Sequence, residues 1–137
     1  MRRILSLPLV AVALWAAFGA SNARADDPFS GKRWTLTQIG DQNWTAEKPY
    51  LEFDRAQGKV SGDAGCNRFS GTLEVKDSSL KVSRLISTKR ACLDEAANRM
   101  ESRFLGELER ITRFEMRDGK LRLLADDLPS LVLSPAL

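Results

Sequence analysis

The chain has 137 residues, with 21 Lys and Arg against 18 Asp and Glu, two Cys and no His. That length suits one domain of ordinary size and argues against two independent cores. The absence of His excludes Ser–His–Asp and Cys–His catalysis and His-ligated metal sites. Arg2, Arg3 and Arg24 lie in a segment without acids, so residues 26–137 carry equal numbers of positive and negative charges and no basic excess for nucleic acid.

Residues 1–25 have the layout of a secretory signal peptide. Two arginines follow the first Met, an apolar run comes next, and Ala23 and Ala25 occupy the small-residue positions before the cleavage point. An uncleaved membrane anchor is the alternative, but the apolar run is at the lower limit of the length that spans a bilayer. We therefore predict cleavage after Ala25 and a single domain over residues 26–137. We expect it to be periplasmic or secreted in a Gram-negative bacterium, with no stable membrane insertion.

Cys66 and Cys92 are the only cysteines of the sequence, in a chain destined for an oxidising compartment. One disulfide between them is the economical interpretation, and closing that loop would stabilise the fold by roughly 3–4 kcal/mol. Two unpaired thiols and a redox-active pair stay open as alternatives. The pair has neither CxxC spacing nor a His to complete a zinc site, so we predict no metal and no cofactor.

Short runs that alternate apolar and polar residues predict seven or eight antiparallel strands. The runs cover residues 34–39, 50–53, 59–62, 72–75, 80–83, 114–117, 121–124 and 130–134. Asp118-Gly119 lies between two of them and predicts a type I′ hairpin, since that turn needs positive φ at both central positions. Residues 62–71 are rich in Gly and also contain Asn, and they predict a loop with positive φ angles or close backbone approach.

A change of period late in the chain predicts one amphipathic helix, roughly Leu93–Ile111. Its apolar stripe consists of Leu93, Ala96 or Ala97, Met100, Phe104, Leu108 and Ile111. The charged residues between them, Glu101 and Glu107 included, are predicted to face solvent, and Gly106 suggests close packing against a neighbour. The chain is therefore predicted to be α+β and mainly β, with strands that curl over one helix.

Two segments carry a resemblance to a known family. The run Gly65-Cys66-Asn67-Arg68-Phe69-Ser70-Gly71 and the later Thr88-Lys89-Arg90-Ala91-Cys92 resemble the signature of the META domain family, the HslJ-type heat-shock proteins. The similarity extends from about Trp34 to Leu133, nearly all of the predicted exported chain. It implies a small, partly open antiparallel β-barrel-like sheet with one helix packed on it, and a bridged cysteine pair. It also implies envelope-stress associations without an established catalytic activity.

Carried onto this chain, the family signature falls on Gly65, Cys66, Asn67, Gly71, Thr88 and Cys92. Gly65 and Asn67 would permit the sharp turn that presents Cys66, and Thr88 would hydrogen-bond local backbone. In this interpretation the signature residues shape the fold. The alternative is a binding surface built around Asn67, Arg68 and Thr88.

The resemblance and the missing catalytic residues predict a monomeric, non-catalytic protein that acts in envelope stress tolerance through a protein or cell-envelope partner. Adjacent acids at 94–95 and 126–127 are explained by a helix start and a turn rather than by paired catalytic carboxylates. One alternative is a barrel that carries a small apolar ligand in a mouth lined by Trp34, Trp44, Tyr50 or Phe69. Another is an inhibitor that presents the loop 67–69 to a protease.

Overall fold

The computed structural model describes residues 27–136, so the predicted export signal lies outside the described residues. In this range nine strands and one helix follow one another along the chain. They are β1 (Ser30–Ile39), β2 (Gln42–Asn43), β3 (Tyr50–Asp54), β4 (Lys59–Asp63), β5 (Arg68–Lys76), β6 (Ser79–Ser87), α1 (Glu95–Arg110), β7 (Arg113–Arg117), β8 (Lys120–Ala125) and β9 (Leu128–Pro135). No helix within these residues is long and apolar enough to cross a membrane.

Eight of the strands form a closed antiparallel barrel, which confirms a mainly β domain with one helix. From β1 the order around the barrel is β3, β4, β5, β6, β7, β8 and β9, and β9 pairs again with β1. The prediction of a partly open sheet is therefore wrong. The reason is the length of β1, which has ten residues and pairs with β3 through its first part and with β9 from Trp34 to Ile39. These two pairings join the edges that would otherwise stay open.

The helix connects the two strands of the barrel that pair least. β6 and β7 share the single residue pair Ser79↔Arg113, and α1 lies between them in the sequence. Met100, Phe104 and Leu108 form the apolar part of its buried face, which packs against β6 and β9. The helix therefore contributes to the same core as the strands.

The helix begins at Glu95 rather than at Leu93, because Asp94 acts as its N-cap. The Asp94 carboxylate accepts a hydrogen bond from the Ala96 amide at 2.9 Å. Leu93 lies before that cap and is fully exposed, so it is not part of the buried stripe. Gly106 is also exposed, and a Cβ built on it would meet none of the described residues within 4 Å, so the close packing predicted there is wrong.

A cluster of three phenylalanines forms the part of the core next to the amino-terminal segment. Phe29 is fully buried and packs edge-to-face against Phe53 and Phe114, with ring centroids 5.1 and 4.7 Å away. Asp27 Oδ1 accepts a hydrogen bond from the Phe29 amide at 2.9 Å and fixes the turn that delivers this ring. The first described residues are thus folded onto the barrel.

The glycine-rich segment 62–71 is only partly a loop. β5 already begins at Arg68, so the irregular part is shorter than the sequence predicts. Gly65 has a φ of 119°, a conformation that favours glycine. Gly62 is needed for a different reason: it lets the backbones of two neighbouring strands lie close together, because a Cβ on it would overlap the Tyr50 carbonyl oxygen.

Candidate functional site

The structure brings together the two segments on which the family resemblance rests, residues 65–71 and 88–92. Cys66 and Cys92 form a disulfide with Cα atoms 6.0 Å apart, which fits the predicted pairing. The turn that presents Cys66 is fixed locally, since Asp63 Oδ1 accepts a hydrogen bond from the Gly65 amide at 2.9 Å. The loop before β5 is therefore tied covalently to the loop before α1.

Asn67 is the centre of a buried hydrogen-bond network. Its Oδ1 accepts from Thr88 Oγ1 at 3.0 Å and from the Arg90 amide at 2.7 Å. Its Nδ2 donates to Glu101 Oε2 at 3.0 Å and to the Arg90 carbonyl at 3.3 Å, and its backbone amide donates to Glu101 Oε1 at 2.7 Å. An amide side chain has two donors and one acceptor atom, and here all of them bind protein groups. Asn67 thus joins three segments of the chain.

Glu101 is the residue of this network that the sequence prediction missed. The prediction that it faces solvent is wrong, because Glu101 is 8% exposed and both carboxylate oxygens accept hydrogen bonds from Asn67. The spacing held a signal for this position. Glu101 follows Ala97 by four residues and precedes Phe104 by three, so it lies on the same helix face as the apolar stripe. A buried carboxylate needs donors, and Asn67 supplies them.

Arg68 and Thr88 lie beside Asn67, so the structure unites the three candidate binding residues. Thr88 Oγ1 accepts from the Arg68 amide at 3.2 Å, and the Thr88 amide donates to the Arg68 carbonyl at 2.9 Å. The Arg68 residue itself is exposed. The hydrogen bonds of Asn67 and Thr88 favour the interpretation in which the signature shapes the fold, whereas a binding role of the exposed Arg68 side chain stays a prediction.

The adjacent acids take part in capping and ion pairs rather than facing each other across a cleft. Asp126 lies 3.4 Å from Arg110, and Asp127 lies 2.6 Å from Arg113. Among the described residues, no three His, Cys, Asp or Glu side chains are grouped so that they could hold a metal ion. Nor does any buried side-chain nitrogen or oxygen of residues 27–136 lack a hydrogen-bond partner. The buried polar side chains of this part of the chain are therefore all hydrogen-bonded within the protein.

The interior of the barrel is occupied by side chains. Trp34 and Phe69 are buried in the core, where the Phe69 ring meets Phe104 of the helix with centroids 5.8 Å apart. Trp44 and Tyr50 are only half-buried. The four aromatic residues that would line a ligand-filled barrel mouth are therefore divided between the core and the outer surface.

The outer face of the barrel next to Tyr50 carries an ion pair between Arg33 and Glu52. Glu52 Oε1 accepts a hydrogen bond from Arg33 Nε at 2.8 Å, and this bond raises the pKa of Arg33 above its ordinary value. The guanidinium carbon of Arg33 lies 4.0 Å from the centre of the Tyr50 ring, in a cation–π arrangement. This group stays protonated at every working pH.

Two pockets lie beside the helix. One, of about 730 Å³, is formed by the β5–β6 hairpin and the last turn of α1. The other, of about 460 Å³, lies between the first turns of α1, the connection from β2 to β3, and Gly65. We call the second one the helix-start pocket. Both volumes are within the range of small-molecule sites, about 300–1,000 Å³.

Comparison with known proteins identifies related chains. A family model described as the META domain matches residues 27–136. No curated protein matches the chain. An NMR structure of a protein from Burkholderia xenovorans is 25% identical over 86% of this chain and 96% of that one, with a TM-score of 0.59. A second NMR structure is 21% identical over 77% of this chain and 90% of the other, with a TM-score of 0.60. A crystal structure of a DUF4847 family protein from Bacteroides vulgatus ATCC 8482 is 15% identical, covers 79% of this chain and 93% of the other, and has a TM-score of 0.51, so it shares the fold alone.

Proposed function

The chain belongs to the META domain family, and on that premise we propose that it is a non-catalytic protein of the bacterial envelope. In this proposal the protein is exported and monomeric. It supports tolerance of heat and other envelope stress by binding a protein or envelope component with its outer surface.

The main support for the proposal is that the signature residues are bonded to other groups within the fold. The side chain of Asn67 has its donors and its acceptor engaged, Glu101 is buried against it, and Cys66 is bonded to Cys92. Core side chains also occupy the interior of the barrel. These features support action through the outer surface rather than through a reactive group in the interior.

Exposed apolar side chains beside the second signature segment favour a partner-binding surface there. Ile86 is 71% exposed at the end of β6, and Leu93 is fully exposed immediately after Cys92. Lys89 and Arg90 add positive charge between them. Aliphatic side chains within a charged rim are typical of interfaces between proteins. We call residues 86–93 the loop surface.

A deletion strain tests the proposed role. We expect loss of the gene to reduce growth at high temperature and in the presence of envelope-active drugs, and we expect the wild-type chain to restore growth. The matched control is a chain that begins at residue 26 and therefore lacks the predicted signal. It should fail to restore growth, because it stays in the cytoplasm.

Two outcomes would contradict the proposal. Unchanged growth of the deletion strain under both kinds of stress would remove the stress role. Full restoration by the chain without its predicted signal, with equal amounts of the two proteins present, would refute the envelope location.

A further inference from the structure

The helix-start pocket has an apolar wall at the edge of the core. The wall consists of Trp44, Pro49, Ala97 and Met100. Met100 is 9% exposed, and Trp44 packs against the core while remaining partly open to solvent. Because Met100 belongs to the core and Trp44 packs against it, the wall is a preformed surface for an apolar group.

Arg103 places a positive charge in the same pocket. Its Nη1 donates to Gln42 Oε1 at 3.0 Å, and its Nη2 donates to the Ile39 carbonyl at 3.4 Å. A Cβ on Gly40 would lie 2.9 Å from Nη2, so the guanidinium is closely packed against the turn after β1. Both acceptors are uncharged, and the remaining N–H donors of the planar group are left for a ligand.

The other basic residues around the pocket already face acids. Lys48 Nζ lies 3.0 Å from Asp63, and Arg99 Nη1 lies 3.6 Å from Glu95. Among the described residues no carboxylate forms an ion pair with Arg103. The one acid of the lining, Asp94, accepts a hydrogen bond from the Ala96 amide as the N-cap of the helix. Arg103 is therefore the charged group of the lining that is open to select the charge of a bound molecule.

We propose that the helix-start pocket binds a small organic anion with an aromatic or similarly bulky apolar body. Its anionic group would lie on Arg103 and its ring against Trp44 and Met100. The volume of about 460 Å³ suits a molecule of that size. Hydrogen bonds from a guanidinium to a carboxylate are charge-assisted and directional, and an aromatic ring packs favourably against indole and thioether groups. The inference rests on the pocket alone and is independent of the proposed stress role.

The test compares three ligands that share one ring system and differ in charge, namely 1-naphthoate, 1-naphthalenemethanol and 1-naphthylmethylammonium. Binding to the exported protein is followed by NMR at the Trp44 indole N–H and at the Gly65 and Ala97 amides. We expect saturable shifts with naphthoate, binding of the alcohol that is about tenfold weaker, and no saturable binding of the ammonium compound.

Variants of the helix then test the role of the guanidinium. Arg103→Gln is expected to weaken naphthoate binding about tenfold, whereas Arg110→Gln, about two turns later on the same helix, should change it by less than about twofold. Arg103→Lys keeps the charge without the planar fork and should give an intermediate affinity. Ala96→Phe fills the pocket from an exposed position and should block binding, which keeps the proposal testable if an Arg103 variant folds poorly.

Several results would overturn the proposal. One is equal affinity for the alcohol and for naphthoate. Another is an equal loss of naphthoate affinity in the Arg103→Gln and Arg110→Gln variants, and a third is an unshifted Trp44 indole N–H signal at millimolar naphthoate. A short peptide that ends in Phe tests whether the pocket binds the carboxyl terminus of a peptide chain instead of a small free acid. Tighter binding of that peptide than of both its amidated form and naphthoate would overturn the assignment to a small molecule.

Discussion

Replacing Asn67 with Ala is the most demanding test of the buried network. The change removes four side-chain hydrogen bonds, one to Thr88, two to the backbone of Arg90 and one to Glu101. A neutral hydrogen bond contributes about 1 kcal/mol and one to a charged group about 1.5–3 kcal/mol. After the change, only the backbone amide of residue 67 still donates from this position to the buried Glu101 carboxylate. We expect the free energy of unfolding to fall by about 4.5–6 kcal/mol, a large part of the roughly 5–15 kcal/mol typical of a domain.

Urea unfolding of the oxidised, exported protein measures this change, with two other asparagines as controls. Asn43 is exposed in β2, so Asn43→Ala should cost less than about 0.5 kcal/mol. Asn98→Ala removes one hydrogen bond, from Nδ2 to the Cys92 carbonyl at 3.0 Å, and should cost about 1 kcal/mol. A loss at Asn67 no larger than the loss at Asn98 would refute the conclusion that this network holds the two loops together.

Further predictions concern the core, two glycines and the cysteine pair. Phe29→Ala should lower the free energy of unfolding by about 3–5 kcal/mol, because two aromatic rings lose their partner, and a loss under about 1 kcal/mol would contradict this packing. Gly62→Ala should prevent folding, as judged by circular dichroism, whereas Gly106→Ala should raise the free energy of unfolding by up to about 1 kcal/mol, since its position on the helix is open. Intact-mass analysis should give a chain that begins at residue 26 and has no thiol available to alkylation before reduction. A mass that includes residues 1–25, or alkylation of both Cys66 and Cys92 without reductant, would contradict the export and disulfide predictions. Reduction should lower the free energy of unfolding by about 2–4 kcal/mol in urea titrations.

Local patterns in the sequence predicted the local structure well. Alternation placed most strands within a few residues of their observed bounds, because a half-buried strand must alternate its faces. The Asp118-Gly119 hairpin is confirmed, with φ of 53° and 74° at its two central residues. The apolar stripe of the helix gave most of its buried face, but it included the exposed Leu93 and left out the buried Glu101.

Closure of the barrel could not be predicted from these patterns. Alternation indicates that a run is a strand, but it does not say which other strand pairs with it. The pairing that closes the barrel joins Leu36 to Leu133 and Ile39 to Leu131, residues from opposite ends of the domain. Only the packing of the whole chain brings these residues together.

The sequence predicted some members of the candidate site, but it predicted neither Glu101 nor the contacts between them. The signature segments drew attention to Asn67 and Thr88, but a polar residue on an apolar stripe, Glu101, was assigned to solvent because charged residues on helices usually face it. The hydrogen bonds of Arg103 were even harder to predict from the sequence, since their acceptors belong to Ile39 and Gln42, far away along the chain. Such partners become visible only once the helix is placed on the barrel.

We propose that the protein acts by binding a partner through its outer surface. Site-specific photo-crosslinking in intact, stressed cells tests it most directly, with the photoreactive residue at Ile86 or Leu93 on the loop surface. Met116, 46% exposed in β7, is the matched control position. We predict discrete crosslinked products at the loop surface, absent at Met116 and reduced by an excess of unmodified exported protein. The absence of any product above the Met116 control at both positions would contradict the claim.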